Sequence, residues 1–257
     1  MALRHDQLER YARHLVLPEI GGPGQQRLLE SSVLLVGAGG IGAPAALYLA
    51  AAGVGRIGLL DDDQVSLSNL QRQILYRTDE VGMAKAEAAA RHLRALNPDV
   101  RAEPIITRLS AENAERLVAD YDLVLDGSDN FATRLAVGDA CLRTGRTLVS
   151  AALRRFEGQL AVFKPHLSPD QPCYHCLVGD SPDEGGGAPC AELGVLGAVA
   201  GVLGCWAAME TVKELVGGFD SLAGRLILFD GLGGKVREVM LPRDPACSHA
   251  SAAGIVA

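Results

Sequence analysis

Aromatic residues and positive charge are both scarce in this chain. Its 257 residues include 5 Phe, 5 Tyr and 1 Trp, and 24 Lys and Arg residues face 31 Asp and Glu residues, for a net charge of −7. A net acidic chain is a poor general binder of nucleic acid, so we expect no nucleic-acid partner. Because 48% of the residues are hydrophobic, the composition also excludes an intrinsically disordered chain.

The sequence shows no clear membrane segment and no secretory leader. The longest uncharged apolar stretch runs from Leu193 to Met209 and contains four glycines. It barely reaches the minimum of about 17 residues for a membrane span. Small residues at three- to four-residue spacing favour close packing of a helix inside the protein instead. We therefore expect a buried helix here, no membrane partner, and a reduced, cytoplasmic protein.

Hydrophobic patterns alternate between strand and helix along the chain. Strands are predicted at Val33 to Gly37, Arg56 to Asp61, Asp122 to Asp126, Arg146 to Ala151, Gln159 to Phe163, Arg225 to Phe229 and Lys235 to Leu241, and helices at Ala43 to Ala52, Lys85 to Leu96 and Asn130 to Arg143. Repeated β–α alternation indicates a parallel sheet covered by helices. The predicted fold is α/β: a Rossmann-like, mostly parallel sheet with helices on both faces, extended by a mixed second lobe.

We interpret residues 1–257 as a single domain. A nucleotide-binding part occupies about residues 1–157, the second lobe about residues 158–241, and a tail without periodic pattern residues 242–257. No low-complexity linker separates these parts, so the second lobe is not predicted to be an independent domain.

A glycine-rich turn identifies a nucleotide site. Gly37-Ala-Gly39-Gly40-Ile-Gly42 fits G-x-G-x-x-G between a predicted strand and a predicted helix. Glycines at this place let backbone N–H groups and the positive end of the helix meet phosphate oxygens. Asp61 ends the next strand, where a carboxylate can bind a ribose hydroxyl. The pattern does not choose between NAD, FAD and ATP, and the phosphate-loop motif G-x-x-x-x-G-K-[ST] is absent.

Several motifs beyond the glycine turn occur in a characteristic order. They are Arg10-Tyr-Ala-Arg13, Asp61-Asp-Asp-Gln-Val-Ser-Leu-Ser68-Asn69-Leu-Gln71-Arg72-Gln73, Gly82-Met-Ala-Lys85, Asp126-Gly-Ser-Asp129-Asn130 and Arg243-Asp-Pro-Ala-Cys247. Together they span nearly the whole chain, which resembles the family that includes MoeB, ThiF and the ubiquitin-activating enzymes. The resemblance implies use of ATP to adenylate the C-terminal glycine of a small ubiquitin-like protein.

The resemblance also assigns roles to individual residues. The nucleotide would be lined by Gly40, Asp61, Ser68, Asn69, Leu70, Gln71, Arg72, Lys85, Asp129 and Asn130. Arg13 would reach the ATP of the other subunit of a homodimer, and Asp129 would hold Mg²⁺. Attack of a carboxylate on an α-phosphate brings two anions together, so cations such as Arg72 and Lys85 are needed beside the nucleotide.

Each of these residues also has a simpler interpretation. Gln71 and Arg72 can belong to an ordinary solvated loop, and Lys85 can lie on the charged face of its helix. Asp129 can be a helix N-cap, because Asp-Asn before an amphipathic helix is a common capping arrangement. Arg13 lies in a polar helical segment that is typically solvated.

Two groups of cysteines suggest a zinc site. Cys173-Tyr-His-Cys176 has the spacing with which two thiolates grip one zinc ion. In the family a second C-x-x-C completes four sulfur ligands, but here the sequence reads Cys247-Ser-His249-Ala250. His249 is the first choice for the fourth ligand and His175 the second; the alternative is a lost site with loop thiols. Such a zinc ion would hold the tail on the second lobe without taking part in the chemistry.

Three further cysteines have different expected roles. Cys190 follows Gly185-Gly-Gly187 and matches the family position that attacks the adenylated carrier or joins a persulfide, although its acidic neighbours provide no activation of a thiolate. The glycines suggest a mobile crossover loop. Cys141 and Cys205 lie in apolar helices and are expected in the core, with Trp206.

The hypothesis is a homodimeric, ATP- and Mg²⁺-dependent adenylyltransferase for a MoaD- or ThiS-like sulfur carrier that ends in Gly-Gly. The carrier tail would lie along the second lobe, and a separate protein would donate sulfur because no rhodanese-like domain follows. The pathway, molybdopterin or thiamine, stays open. Two alternatives are a nicotinamide-dependent oxidoreductase with the same glycine motif and a non-catalytic, nucleotide-binding dimeric scaffold.

Overall fold

One continuous sheet of eight strands organises the chain. The computed structural model describes residues 3–179 and 194–249. The strands are β1 (Ser32–Val36), β2 (Arg56–Leu60), β3 (Arg101–Ile105), β4 (Leu123–Asp126), β5 (Thr147–Arg154), β6 (Glu157–Phe163), β7 (Arg225–Asp230) and β8 (Lys235–Met240). Their order is β3-β2-β1-β4-β5-β6-β7-β8. The first five in this order run parallel, and β6, β7 and β8 continue the sheet antiparallel.

Helices of very different length connect these strands. They are α1 (His5–Arg10), α2 (Ala12–Leu15), α3 (Gly21–Glu30), α4 (Gly42–Ala52), α5 (Lys85–Leu96), α6 (Ala114–Ala119), α7 (Phe131–Thr144), α8 (Tyr174–Val178) and α9 (Gly197–Val216). Short 3₁₀ helices lie at Leu67–Asn69, Thr78–Glu80 and Pro165–Leu167. The predicted α/β class with a mostly parallel sheet and a mixed extension is therefore confirmed.

The sheet separates two hydrophobic cores. Neighbouring residues of β1 show the division, because Leu35 belongs to one core and Leu34 to the other, both fully buried. Successive side chains of a strand point to opposite faces, so β1 is apolar from Val33 to Val36. The core around Leu35 includes residues of α4, α5 and α9, and the core around Leu34 includes residues of α6 and α7. Helices therefore cover both faces, as predicted.

Helix boundaries follow the local signals closely. The predicted helix from Lys85 to Leu96 has the bounds of α5. Gly53 ends α4 and Gly145 ends α7, both with positive φ, which glycine adopts without a steric penalty. Among the elements that the sequence did not predict, β3 is an edge strand with Pro104 and mixed burial, and α6 has only 6 residues.

The long apolar run forms the core helix expected from its small residues. The observed helix α9 begins at Gly197, where a Cβ atom would lie 2.3 Å from the Gln71 carbonyl oxygen. At Gly204 a Cβ atom would lie 2.3 Å from the carbonyl oxygen of Ile41. These glycines let α9 approach the loop after β2 and the start of α4. Among the described residues, no helix combines the length and hydrophobicity of a membrane span.

The sequence predicted that Cys141, Cys205 and Trp206 lie in the core, and the structure confirms this fully only for Cys141. Cys141 is 3% exposed and lies in the core of the α6 and α7 face. Cys205 and Trp206 are only half-buried, because they lie on the outer side of α9, although Trp206 packs against the core.

Candidate functional site

The glycine turn between β1 and α4 depends on close backbone contacts. A Cβ atom at Gly42 would lie 1.9 Å from the Gly37 carbonyl oxygen, which no side chain allows. Gly37 itself has a φ of 83° and lies against the backbone of Ser128. Asp61 supports the turn, since its carboxylate accepts hydrogen bonds from the backbone N–H groups of Ala38 at 2.8 Å and Asp63 at 2.9 Å. The proposed contact of Asp61 with a ribose stays a prediction.

A cavity of about 410 Å³ opens at the carboxyl ends of β1, β2 and β4. Ligands of open α/β sheets bind where the strand order reverses, and here β1 lies between β2 and β4. The cavity is lined by Val36, Gly37, Gly39, Gly40, Ile41, Leu60, Asp61, Asp62, Asp63, Arg72, Gln73, Lys85, Arg108, Leu109, Gly127, Ser128, Asp129, Asn130, Thr133, Arg134, Leu153 and Val195. Its volume is in the range of about 300–1,000 Å³ typical of small-molecule sites.

Opposite charges are balanced around the cavity. Four cations, Arg72, Lys85, Arg108 and Arg134, line it together with four carboxylates, Asp61, Asp62, Asp63 and Asp129. The site is therefore less acidic than the chain as a whole. The four cations can contact the phosphate groups of a nucleotide. The four carboxylates offer oxygen ligands for a divalent cation, which would add positive charge.

Lys85 is buried, which makes the interpretation as a solvated helix face wrong. Its side chain is 5% exposed, and its ammonium group pairs with Asp63 at 2.7 Å, whereas the Asp63 side chain is 69% exposed. The charge of Lys85 also acts on Asp61: burial raises the pKa of the Asp61 carboxyl, and Lys85 opposes this rise. A buried ammonium group at the cavity wall can act on an anionic ligand with little screening by water.

Asp129 and Asn130, which follow β4, both line the cavity but have different roles. Asn130 is the N-cap of α7, and its side-chain oxygen accepts a hydrogen bond from the Thr133 backbone N–H at 2.8 Å. The capping role therefore belongs to Asn130 and not to Asp129. Asp129 is exposed and lines the cavity. Its carboxylate is available for the proposed Mg²⁺.

The predicted site residues from Ser68 to Gln71 lie near the cavity residue Arg72 but do not line the cavity themselves. Ser68, Asn69, Leu70 and Gln71 are not among the lining residues of the cavity in the described part of the chain. They lie at the 3₁₀ helix Leu67–Asn69, where the Ser68 carbonyl oxygen accepts a hydrogen bond from Arg72 at 3.1 Å. This segment therefore orients Arg72, whose aliphatic chain lies beside Gly40. Direct contacts of these four residues with a nucleotide stay predictions.

For Arg13 and Cys190 the structure shows no place at the cavity of this chain: Arg13 lies elsewhere, and Cys190 is outside the described residues. Arg13 is exposed on α2 and does not line the cavity of its own chain. Cys190 and the glycines from Gly185 to Gly187 lie outside the described residues.

A second cluster joins the two cysteine motifs. The Cys173 sulfur lies 3.8 Å from the Cys176 sulfur and 3.5 Å from the Cys247 sulfur. Cys247 in turn lies 3.4 Å from Nδ1 of His249. Burial raises the pKa of Cys173 to about 12. For Cys247 burial also raises the pKa, but hydrogen bonds with His249, Cys173 and Cys176 together outweigh it and leave the pKa below its usual value.

The distances among Cys173, Cys247 and His249 fit three corners of a tetrahedral zinc site. Bonds of about 2.3 Å to sulfur and about 2.0 Å to nitrogen place two sulfur ligands about 3.8 Å apart and a sulfur and a nitrogen about 3.5 Å apart. Cys173, Cys247 and His249 offer ligand atoms within 4.8 Å of one another. This group contains His249 and not His175, whose Nε2 pairs with Asp139 at 2.7 Å and whose ring stacks on that of His249 at 3.7 Å. The geometry favours His249 as the fourth ligand.

Some cavity residues escaped the sequence analysis. Arg108 follows β3, which carried no recognisable pattern. Arg134 lies four residues after Asn130, so a helix beginning at Asn130 places both on one side of α7. The guanidinium of Arg134 donates to the Ser128 carbonyl oxygen from Nε at 3.1 Å and from Nη2 at 2.6 Å. The four-residue spacing between Asn130 and Arg134 could have identified Arg134 as a cavity residue.

Comparison with known proteins gives a consistent result. The chain is 47% identical over 244 residues to a sulfur carrier protein adenylyltransferase of Thermus thermophilus, covering 94% of this chain and 90% of that protein. It is 49% identical over 248 residues to the adenylyltransferase and sulfurtransferase MOCS3 of Bos taurus, of which it spans 54%. Its fold matches that of E. coli MccB with a TM-score of 0.81 at 22% identity, covering 95% of this chain and 74% of that one. A model of the ThiF family matches residues 11–249, and the chain belongs to this family.

Proposed function

We propose that this protein adenylates the C-terminal glycine of a ubiquitin-like sulfur carrier protein with ATP and releases pyrophosphate. One observation carries the proposal: the cavity brings together the glycine turn, Arg72, Lys85 and Asp129 from four separate segments of the chain. Relatives at 47% and 49% identity are named adenylyltransferases, which favours this activity over an oxidoreductase with the same glycine turn.

The proposed reaction is an in-line transfer at the α-phosphate of ATP. A carboxylate oxygen of the carrier attacks the α-phosphorus and forms the new P–O bond. The bond from the α-phosphorus to the bridging oxygen breaks, and pyrophosphate leaves with that electron pair. The products are an acyl-adenylate and pyrophosphate, so no oxidant or reductant is required.

The chain's own residues divide this work. The N–H groups of the glycine turn, together with Arg72 and Lys85, hold phosphate oxygens and reduce the repulsion between the two anions. Asp129 holds Mg²⁺, which when bound screens the phosphates and stabilises the departing pyrophosphate. Asp61 orients the turn through Ala38.

The remaining site assignments belong to the same proposal. The exposed position of Arg13 on α2 supports a role at the cavity of a second subunit in a homodimer. The spacing of the cysteine cluster supports zinc bound by Cys173, Cys176, Cys247 and His249, which would keep the tail against α8 without taking part in the chemistry. Cys190 is proposed as the thiol that receives the activated carrier.

The partner surface and the sulfur source complete the proposal. Strands β6 to β8 form the second lobe, where the exposed β8 offers an open surface for a carrier with a Gly-Gly terminus. Sulfur would come from a separate donor protein in a molybdopterin- or thiamine-type pathway. A reducing cytoplasm would keep the thiols ready for zinc.

Exchange of labelled pyrophosphate into ATP, dependent on a Gly-Gly carrier, tests the function. Wild type is expected to catalyse exchange, and Asp129→Ala to lose at least about 100-fold because the proposed Mg²⁺ ligand is gone. Asp79→Ala is the matched control, since Asp79 is also an exposed carboxylate but lies outside the cavity lining. Equal exchange by all three proteins would remove Asp129 from the mechanism. No exchange by wild type with any carrier would favour the non-catalytic scaffold.

A further inference from the structure

Helix α7 takes part in both sites. Its N-terminal end carries Asn130, Thr133 and Arg134, which line the nucleotide cavity. Its C-terminal half contacts α8, the short helix that begins directly after Cys173 and contains Cys176, both proposed metal ligands. No residue of α8 lines the cavity, so α7 is the direct connection between the two sites among the described residues.

Three contacts attach α8 to α7. His175 pairs with Asp139 at 2.7 Å, and Cys173 packs against Leu142. The closest contact is made by Tyr174: a Cβ atom at Gly138 would lie 2.7 Å from the Tyr174 Cβ atom. Glycine at position 138 therefore makes room for Tyr174, and the position of α8 along α7 is closely defined.

Tyr174 reaches from the metal-binding motif to the wall of the cavity. Its ring is 3% exposed and packs edge-on against Phe163 at 5.6 Å. Its hydroxyl lies near the side chains of Arg134 and Ser150. Arg134 and Gly138 are four residues apart and share one side of α7, which explains how one tyrosine touches both.

Arg134 connects Tyr174 to the loop that contains Asp129. Both of its hydrogen bonds to the Ser128 carbonyl oxygen, at 3.1 and 2.6 Å, hold the backbone immediately before Asp129. The Ser128 backbone also supports Gly37 of the glycine turn. A displacement of the Arg134 guanidinium would therefore act on both sides of the cavity.

We propose that Tyr174 is a positioning residue that couples metal binding at the cysteine cluster to nucleotide binding at the cavity. A bound metal fixes α8 on α7, the Tyr174 hydroxyl then holds Arg134 on Ser128, and the loop with Asp129 keeps the conformation that binds nucleotide. The inference rests on the proposed function for the identity of the ligand, ATP. Linkage requires the effect to be reciprocal: nucleotide strengthens metal binding by the same factor.

The test measures the affinity of a non-hydrolysable ATP analogue with Mg²⁺ by calorimetry, with the full chain loaded with zinc or stripped by a chelator. Typical coupling between two sites changes affinity by about 5- to 150-fold. Wild type should lose at least about fivefold in affinity when zinc is removed. Tyr174→Phe, which keeps the ring contacts with Gly138 and Phe163, should bind the analogue more weakly even with zinc and respond little to its removal.

Tyr121→Phe is the matched control. It also removes a buried tyrosine hydroxyl, which pairs with Glu103 at 3.1 Å away from the cavity, and it should behave like wild type. As the reciprocal measurement, the analogue should slow transfer of zinc to a chromophoric chelator in wild type and in Tyr121→Phe, but not in Tyr174→Phe.

Two results would overturn the coupling: equal affinity of wild type with and without zinc, or a full zinc effect in Tyr174→Phe. If stripped protein unfolds, the comparison of the three zinc-loaded proteins decides, and equal affinities would reject the role of Tyr174. Normal nucleotide binding in every metal state would reject only the coupling, whereas absence of nucleotide binding in all proteins would reject the proposed function as well.

Discussion

The central strands of the parallel half and the edge strand of the antiparallel half are buried to very different degrees. In the parallel half, β1 and β2 each have four fully buried positions of five, and all four residues of β4 are buried. In the antiparallel half, all six residues of β8 are exposed. Helices cover both faces of the parallel half, so its edge can hold a desolvated cavity. The antiparallel half ends in an open strand, which suits contact with another protein.

The glycine turn of the parallel half should show the largest effect. Gly42→Ala is expected to lower the free energy of unfolding by about 3 kcal/mol and to abolish nucleotide binding, because the new Cβ atom overlaps the Gly37 carbonyl oxygen. Gly201→Ala in α9 is the control, since a Cβ atom there would have no neighbour within 4 Å and Gly201 does not line the cavity. Urea unfolding and calorimetry measure both effects. A stable Gly42→Ala protein that binds nucleotide would contradict this account.

Two lysines that pair with carboxylates, one in each half, should give opposite results. Lys164, after β6, pairs at 2.7 Å with Glu214, whose side chain is only 8% exposed. Lys164→Met should therefore cost about 3 kcal/mol of stability, because a buried carboxylate loses its partner, and leave pyrophosphate exchange intact. Lys85→Met leaves the exposed Asp63 to water, so stability should change by less than about 1 kcal/mol, while exchange falls about 100-fold. Similar effects of the two substitutions on both measurements would refute this distinction.

Removal of metal should destabilise the region where the cysteine cluster packs on α7, between the two halves. With zinc at about 100 times its Kd, a chelator is expected to lower the free energy of unfolding by about 2.7 kcal/mol. Cys247→Ser should reduce the zinc content and this chelator effect, whereas Cys205→Ser, at a half-buried position on α9, should change neither. Metal analysis and thermal unfolding provide the measurements. A full zinc content in Cys247→Ser would argue against this ligand set.

The smallest effect on stability is expected at the open edge. Val236→Thr on β8 should change the free energy of unfolding by less than about 0.5 kcal/mol, because Val236 is 54% exposed. Val33→Thr on β1 should cost about 2 kcal/mol, because it places a hydroxyl where Val33 is 0% exposed. Chemical denaturation measures both. Equal losses would show that the two halves do not differ in this way.

The same contrast explains what sequence analysis could predict. Continuous apolar strands and glycine-capped helices are local signals, so β1, β4, α4, α5 and α7 were predicted within a few residues. β3 was missed because an edge strand with Pro104 carries neither a continuous nor an alternating pattern. The nucleotide turn and the cysteine motifs were visible as spacings, and the family resemblance placed Arg72, Lys85 and Asp129 in one hypothesis.

Contacts between segments that are distant in the chain could not be predicted from the sequence. The burial of Lys85 beside Asp63, the capping role of Asn130 instead of Asp129 and the approach of His249 to Cys247 each depend on how elements pack. By itself, the sequence determined the fold class, the glycine turn and the chemical nature of both candidate sites, because these follow from periodicity and residue type over short distances. Only the tertiary structure decided which charges meet at the cavity and that α7 joins it to the cysteine cluster, because those contacts arise from the order of strands in the sheet and the packing of helices on it.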